Sequence, residues 1–287
     1  MLKAINSWSL PAQWTTAEQL PETFRRVRAL GFEGFELSFD PDGAIGFHST
    51  AEEMRALRAH ADAAGCRLTS LATGAFWSHN FGQDDPEKRA VARRITVKML
   101  ELGQALGIAT LLIVPAAVDV CFIPSEPVVA YDVVMERVVQ ALGEMAPECE
   151  RTGVRIGLEN VWNKFFLSPL ELRSVLDAIG SPLIGSYFDV GNVLPTGYPE
   201  QWIRILGTRI FSVHLKDFRR DVGTLFGFVD LLEGDVNWPA VMDALRKVGY
   251  HGPLIAEMLP PYLHHPLARL ENTSNAMDWI MGRKTEG

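Results

Sequence analysis

Eight strand-length apolar runs, each followed by a segment of helical length, are what most restricts the folds open to this chain. The predicted strands are 2–6, 34–38, 67–72, 110–114, 154–159, 184–189, 210–214 and 254–257. They are almost wholly apolar rather than alternating, as expected of a parallel sheet covered on both faces. A helix capped by Thr15 or Thr16 and running to Leu30 follows the first, and one opened by Ser49 or Thr50 and ending by Gly65 follows the second. Further helices are predicted at 86–106, 127–151, 168–179, 199–206, 238–248 and 266–280. Regular βα alternation implies right-handed crossovers. A closed (β/α)8 TIM barrel needs about 250 residues, so one such α/β domain over 1–287 fits, with modest loops. An open doubly wound sheet fits less well, because no glycine-rich phosphate loop follows the first strand.

Four of the C-terminal runs end on residues that bind metals. The run 154–158 leads into Glu159, 184–188 into Asp189, 210–213 into His214 and 254–256 into Glu257. The C-terminal edge of a parallel barrel is where chemistry sits, and strands five to eight form one contiguous half of the ring. Three carboxylates and one imidazole suit Mn²⁺, Mg²⁺, Co²⁺ or Zn²⁺, and the lack of thiolate speaks against a structural zinc. No organic cofactor is expected.

A formal net charge of −8 argues against nucleic-acid binding. No apolar stretch approaches the ~20 residues that cross a membrane, and the N-terminus lacks a signal-peptide core. Cys66, Cys121 and Cys149 are odd in number and widely spaced, which points to a reducing, cytoplasmic setting.

Five motifs carry a resemblance: Gly157-Leu158-Glu159-Asn160, Phe188-Asp189-Val190-Gly191-Asn192, His214-Leu215-Lys216-Asp217, Gly234-Asp235-Val236-Asn237-Trp238 and Ile255-Ala256-Glu257-Met258. In order and spacing, over essentially the whole chain, they resemble the xylose-isomerase-like sugar (phosphate) isomerase/epimerase superfamily, which includes D-tagatose 3-epimerase and related ketose epimerases. The resemblance implies one divalent metal on Glu159, Asp189, His214 and Glu257. It also implies that the two glutamates act as acid and base on opposite faces of the sugar. A homodimer or homotetramer is implied as well, and the apolar loop 223–229 adds a reason, since it leaves aromatic surface exposed unless it folds over its own site. One departure stands out: the family's epimerases often carry Asp-x-x-His at the sixth strand, where this chain has Asn192. Asparagine donates a hydrogen bond but cannot change charge near neutral pH.

Candidate substrate contacts are Glu36, His79, Trp162, Asn192, Lys216, Arg219 and Arg220. Glu36 fits a salt bridge inside the barrel equally well, and Lys216 fits a neutralising role. His79 lies among Phe76, Trp77 and Phe81, while Trp162, like Trp8, sits just beyond a strand and can face sugar C–H groups. Arg219 and Arg220 lie in the loop after the seventh strand, where barrels often build phosphate sites, or are simply solvated. Asn160 and Asp217 are placed as hydrogen-bond partners that orient the ligands. The expected reaction moves a proton at the carbon beside the carbonyl of a small sugar, sugar phosphate or polyol-derived ketone, through an enediolate stabilised by the metal. Epimerisation, aldose–ketose isomerisation and dehydration all follow from that step. Endonuclease IV, which shares the superfamily, gives a phosphodiesterase alternative, disfavoured by the lack of histidine at the tips of strands two, four and five. A non-catalytic sugar-binding barrel is the third reading.

Overall fold

The computed structural model describes residues 1–120, 123 and 127–285, and eight parallel strands in it close into a barrel. They are β1 (Leu2–Asn6), β2 (Gly34–Phe39), β3 (Arg67–Thr73), β4 (Thr110–Ile113), β5 (Arg155–Glu159), β6 (Ile184–Asp189), β7 (Ile210–Leu215) and β8 (Pro253–Ala256). Each strand pairs with the next, and β8 closes the ring on β1 with Leu2 opposite Pro253. The surrounding helices are α1 (Leu20–Ala29), α2 (Ala51–Ala63), α3 (Pro86–Leu106), α4 (Tyr131–Thr152), α5 (Pro169–Ile179), α6 (Pro199–Leu206), α7 (Trp238–Lys247) and α8 (Pro266–Ile280). The fold is a (β/α)8 TIM barrel. A short antiparallel ribbon, Asp217–Phe218 against Phe228–Val229, rises from the end of β7.

Strand alternation sorts the residues into two populations. Ile156, Leu158, Phe188, Val213, Leu215 and Leu254 point outward into the main apolar core. Inside the ring, Ala4, Ala72, Leu112, Tyr187 and Ile255 form a separate small cluster. Two residues further along their strands stand Asn6, Asp189 and Glu257, at the C-terminal mouth. Gly157 occupies an inward position because of Tyr187, whose Cβ would lie 2.9 Å from any Cβ added there. Small inward residues therefore make room for one large phenol beneath the mouth.

Two helix starts differ from the sequence expectation. Residues 12–14 form a 3-10 turn, and Thr15 Oγ1 donates to Ala12 O, so this threonine caps nothing. α1 begins instead at Leu20, where Pro21 presets the first turn. α4 begins at Tyr131 rather than at 127. Ser168 and Thr50 cap as expected, Thr50 within a full capping box. Cys66 and Cys149 are buried free thiols whose pKa values burial pushes up to about 12, which leaves them unreactive; Cys121 lies outside the described residues. Among the described residues no helix is long and apolar enough to cross a membrane.

Candidate metal and proton-transfer site

Glu159 and Asp189 are the last residues of β5 and β6, His214 lies one residue before the end of β7, and Glu257 follows β8. One ligand atom from each lies within 4.8 Å of all the others, and all four side chains are buried. His214 Nδ1 stands 2.9 Å from Glu257 Oε2, 3.7 Å from Glu159 Oε1 and 3.9 Å from Asp189 Oδ2. Lys216 Nζ, read from the sequence as either a substrate contact or a neutralising charge, reaches Asp189 at 3.1 Å and Glu257 at 2.8 Å. Yet Asp189 Oδ2, His214 Nδ1 and Glu257 Oε2 are buried without an aligned hydrogen bond. Donor atoms crowded about one point and not aimed at one another are what a shared cation requires.

Electrostatics point the same way. Burial raises Glu159 and Asp189 above their usual carboxylate range. On Glu257 burial is outweighed by Lys216 and His214, which hold its carboxyl low. Burial also opposes charge on His214, but Glu36 and Glu257 together drive its pKa well up. With the chain's charges alone, the raised pKa values of Glu159, Asp189 and His214 favour protons on these groups, which relieve the crowding of negative charge. A divalent ion offsets the same charge and would displace those protons. Metal binding should therefore release protons, and affinity should rise with pH, because a group whose pKa is raised gives up its proton only at higher pH. Calorimetry in buffers of different ionisation enthalpy measures this; zero proton release would contradict the donor set.

Beneath the cluster lies a polar seat. The Glu36 carboxylate is fully buried and accepts from Asn6 Nδ2 at 2.6 Å, His214 Nε2 at 2.8 Å, Ser70 Oγ at 2.6 Å and the Tyr187 hydroxyl. Burial raises its pKa, but His214 and these hydrogen bonds bring it below the usual value, so the group is ionised. An acceptor-only carboxylate keeps a proton on Nε2, so Nδ1, which faces Glu159, Asp189 and Glu257, is the nitrogen that could meet an ion once deprotonated.

Glu36 is thus an orienting residue and not part of the cavity wall. Asp217, expected in that role, faces elsewhere: it accepts from the backbone N–H groups of Phe218, Leu232 and Val236 and from Trp238 Nε1. Its carboxylate gathers the loop that leads to α7, and Gly234 must be glycine there because a Cβ would come within 2.1 Å of Asp217 Oδ1. Asn160 exchanges two 2.9 Å hydrogen bonds with the Asp189 backbone and so extends the β5–β6 ladder to the tips. Asn192 donates its backbone N–H to Asp189 Oδ1 at 2.8 Å and its side-chain Nδ2 to Asn160 O at 3.0 Å.

Over the cluster opens a cavity of about 570 Å³, whose lining includes Glu159, Glu257, Lys216, Asn192, Trp8 and Trp162. Trp162 packs against Phe218 and Phe228 of the ribbon, with ring centres 5.4 and 5.2 Å away. His79, Arg219 and Arg220 are not part of that lining. Arg219 donates to Glu233 O, and Arg220 stacks on Tyr198. Sequence reasoning missed Arg269 of α8, which lines the cavity, pairs with Asp230 at 2.6 Å and donates to the Met258 and Pro260 carbonyls. Its partner lies 39 residues away, and no local pattern announces the pair. It also missed Asn6, whose place at the end of β1 follows the same strand-tip grammar as the ligands.

A family model described as a xylose isomerase-like TIM barrel matches residues 24–282. An L-ribulose-5-phosphate 3-epimerase (UlaE) of Salmonella paratyphi A is 26% identical over 265 residues, covering 91% of this chain and 89% of that protein. A solved L-ribulose 3-epimerase superposes with a TM-score of 0.78 at 18% identity, over 99% of this chain and 95% of that one. An IOLI protein carrying a zinc atom superposes with a TM-score of 0.77 at 16% identity, over the full length of both chains.

Proposed function

We propose that this chain, which belongs to the xylose isomerase-like TIM barrel family and is an enzyme of the isomerase/epimerase kind, moves a proton at the carbon beside a sugar carbonyl. The observation that carries the reading is the buried Glu159–Asp189–His214–Glu257 cluster, with three unbonded ligand atoms at the floor of a cavity. These four residues would hold one divalent ion, Mn²⁺, Mg²⁺, Co²⁺ or Zn²⁺. When bound, the ion supplies Lewis acidity that polarises a carbonyl and makes the neighbouring C–H more acidic.

The chain's own residues do the rest. Glu257, whose carboxyl Lys216 and His214 hold low, is the base; Glu159, whose pKa burial raises, is the acid. A pair of carboxyls whose pKa values are pushed in opposite directions supplies the asymmetry that proton removal on one face and return on the other needs. Glu36 fixes the His214 ring, and Lys216 keeps three buried carboxylates from repelling one another. Asn192, Trp8 and Trp162 border the substrate. The protein acts in the cytoplasm, a setting that suits its buried unpaired thiols.

The test is deuterium incorporation. In D₂O, reconstituted protein should place deuterium beside the carbonyl of an accepted hydroxyketone, as followed by NMR, and chelator treatment should abolish it. A bound sugar with no metal-dependent exchange would favour the non-catalytic reading. The single imidazole of the cluster weighs against a three-zinc phosphodiesterase. Self-association is part of the proposal: Phe226, on the ribbon turn, is 91% exposed although the same loop lines the cavity. Light scattering at micromolar concentration should give a dimer or tetramer, and a monomer would mean that the loop serves only its own site.

A further inference from the structure

Resting on that reading, we propose that the substrate is an uncharged hydroxyketone carrying a flat apolar substituent, and that phosphorylated sugars are excluded. The ring order places β3 and β4 across the barrel from β7 and β8. All carboxylates of the cluster come from β5 to β8, so they occupy one side of the mouth. The opposite wall, at the tips of β3 and β4, is built from Thr73, Gly74, Trp77, Leu112 and Val114. Its side chains offer one hydroxyl, the Trp77 indole and otherwise apolar surface. The loops above continue this character, with Leu225, Phe226 and Phe228 after β7 and Leu259 and Pro260 after β8. A small polyol has no use for so much apolar wall. A ketose head on the ligand cluster with a ring or alkyl tail against Trp77, Leu112 and Val114 fills it.

Charge supplies the second half. Among the described residues, the cations that line the cavity are Lys216 and Arg269, and both are committed. Lys216 sits between Asp189 and Glu257. Arg269 is spent on Asp230 and on two carbonyls. Arg219 and Arg220, the residues placed to meet a phosphate by position in the chain, face Glu233 and Tyr198 outside the cavity. A phosphate dianion in place of that tail would face the apolar wall with no free cation among the described lining residues, and Lys216 or Arg269 would have to abandon its carboxylate partner to receive it. This chain would therefore part company in substrate with the 5-phosphate epimerase that it resembles.

A matched set of ligands tests the inference: D-fructose, D-fructose 6-phosphate and 6-O-benzyl-D-fructose, the last two differing only in the substituent at one position. Isothermal titration of Mn²⁺-reconstituted protein should find the benzyl ether at least tenfold tighter than D-fructose, and the phosphate no tighter than D-fructose. Trp77→Ala and Phe226→Ala should each shrink the benzyl advantage at least threefold. A phosphate ester that binds as well as the benzyl ether overturns the inference, as does a benzyl ether no tighter than D-fructose or an absence of binding by all three. Deuterium exchange on the same ligands separates this from the proposed reaction. Exchange with a phosphate preference leaves the reaction standing and removes the substrate class. A benzyl preference in binding with no exchange anywhere leaves the substrate class standing and removes the reaction.

Discussion

Glu257→Gln should lower the rate of deuterium exchange beside the carbonyl about 10²–10⁴-fold, the range for losing a positioned general base. Glutamine keeps the shape and one oxygen donor, so with saturating metal the site should still fill, at lower affinity, while the base is gone. Glu159→Gln tests the other face. If the two residues act on opposite faces of the sugar, each single variant retains exchange from one face and loses net inversion. If one residue alone carries the proton between adjacent carbons, one substitution abolishes both exchange and product formation and the other does not. Following exchange and product together by NMR distinguishes an epimerase from an isomerase. Wild-type exchange rates in both variants would remove Glu159 and Glu257 from the chemistry. The asymmetry of the pair makes Glu257 the more sensitive position, because Lys216 at 2.8 Å holds its carboxyl low while burial raises that of Glu159.

The four ligand-type residues were legible in the sequence because a parallel barrel turns one-dimensional information into a place. An apolar run of strand length fixes where a strand ends, and ring closure brings neighbouring ends together. Period two then sorts the remaining residues. His214 and Lys216 share the inward face, and both reach the cluster. Asp217, one residue on, faces the opposite way and gathers a loop instead. Placing it as an orienting partner of His214 weighed nearness in sequence over the alternation that turns the two side chains to opposite faces. Glu36 was harder, since the same inward position fits a wall residue or a buried seat. Only closure of the ring, which sets β1, β2, β3, β6 and β7 around one point, shows four donors converging on its carboxylate. Arg219 and Arg220 could not be placed, because loop side chains have no period to fix their direction. The start of α1 was misjudged for a local reason: a 3-10 turn took up Thr15 before it could cap.

Glu36→Gln should weaken divalent-metal affinity about 10–100-fold, although residue 36 touches no metal ligand atom other than through the far nitrogen of His214. The carboxylate offers four acceptor positions and four donors fill them. An amide keeps acceptors on one oxygen only. Its NH₂ must then confront either Asn6 and His214 or Ser70 and Tyr187, all donors in the native arrangement. A serine or tyrosine hydroxyl can rotate to accept, but Asn6 Nδ2 cannot, so the amide oxygen should stay on the Asn6–His214 side. The hydrogen bond to Nε2 would survive in that arrangement, without its charge. The ring would keep its direction while Nδ1 becomes a weaker donor to the ion, so the loss should appear in affinity more than in stoichiometry. Glu36→Ala removes the seat altogether and leaves Asn6 Nδ2 and His214 Nε2 without their acceptor, while Ser70 Oγ and the Tyr187 hydroxyl keep each other at 3.0 Å, at a cost of about 1–3 kcal/mol for each group left unpaired. That variant should lose thermal stability as well as metal. Competition with a chromophoric chelator gives the affinities, and denaturant unfolding of the metal-free proteins gives the stabilities. A Gln variant with unchanged metal affinity would show that Glu36 stabilises the barrel interior and nothing more. A Gln variant that binds metal weakly but folds as well as the wild type would assign it to the orientation of His214.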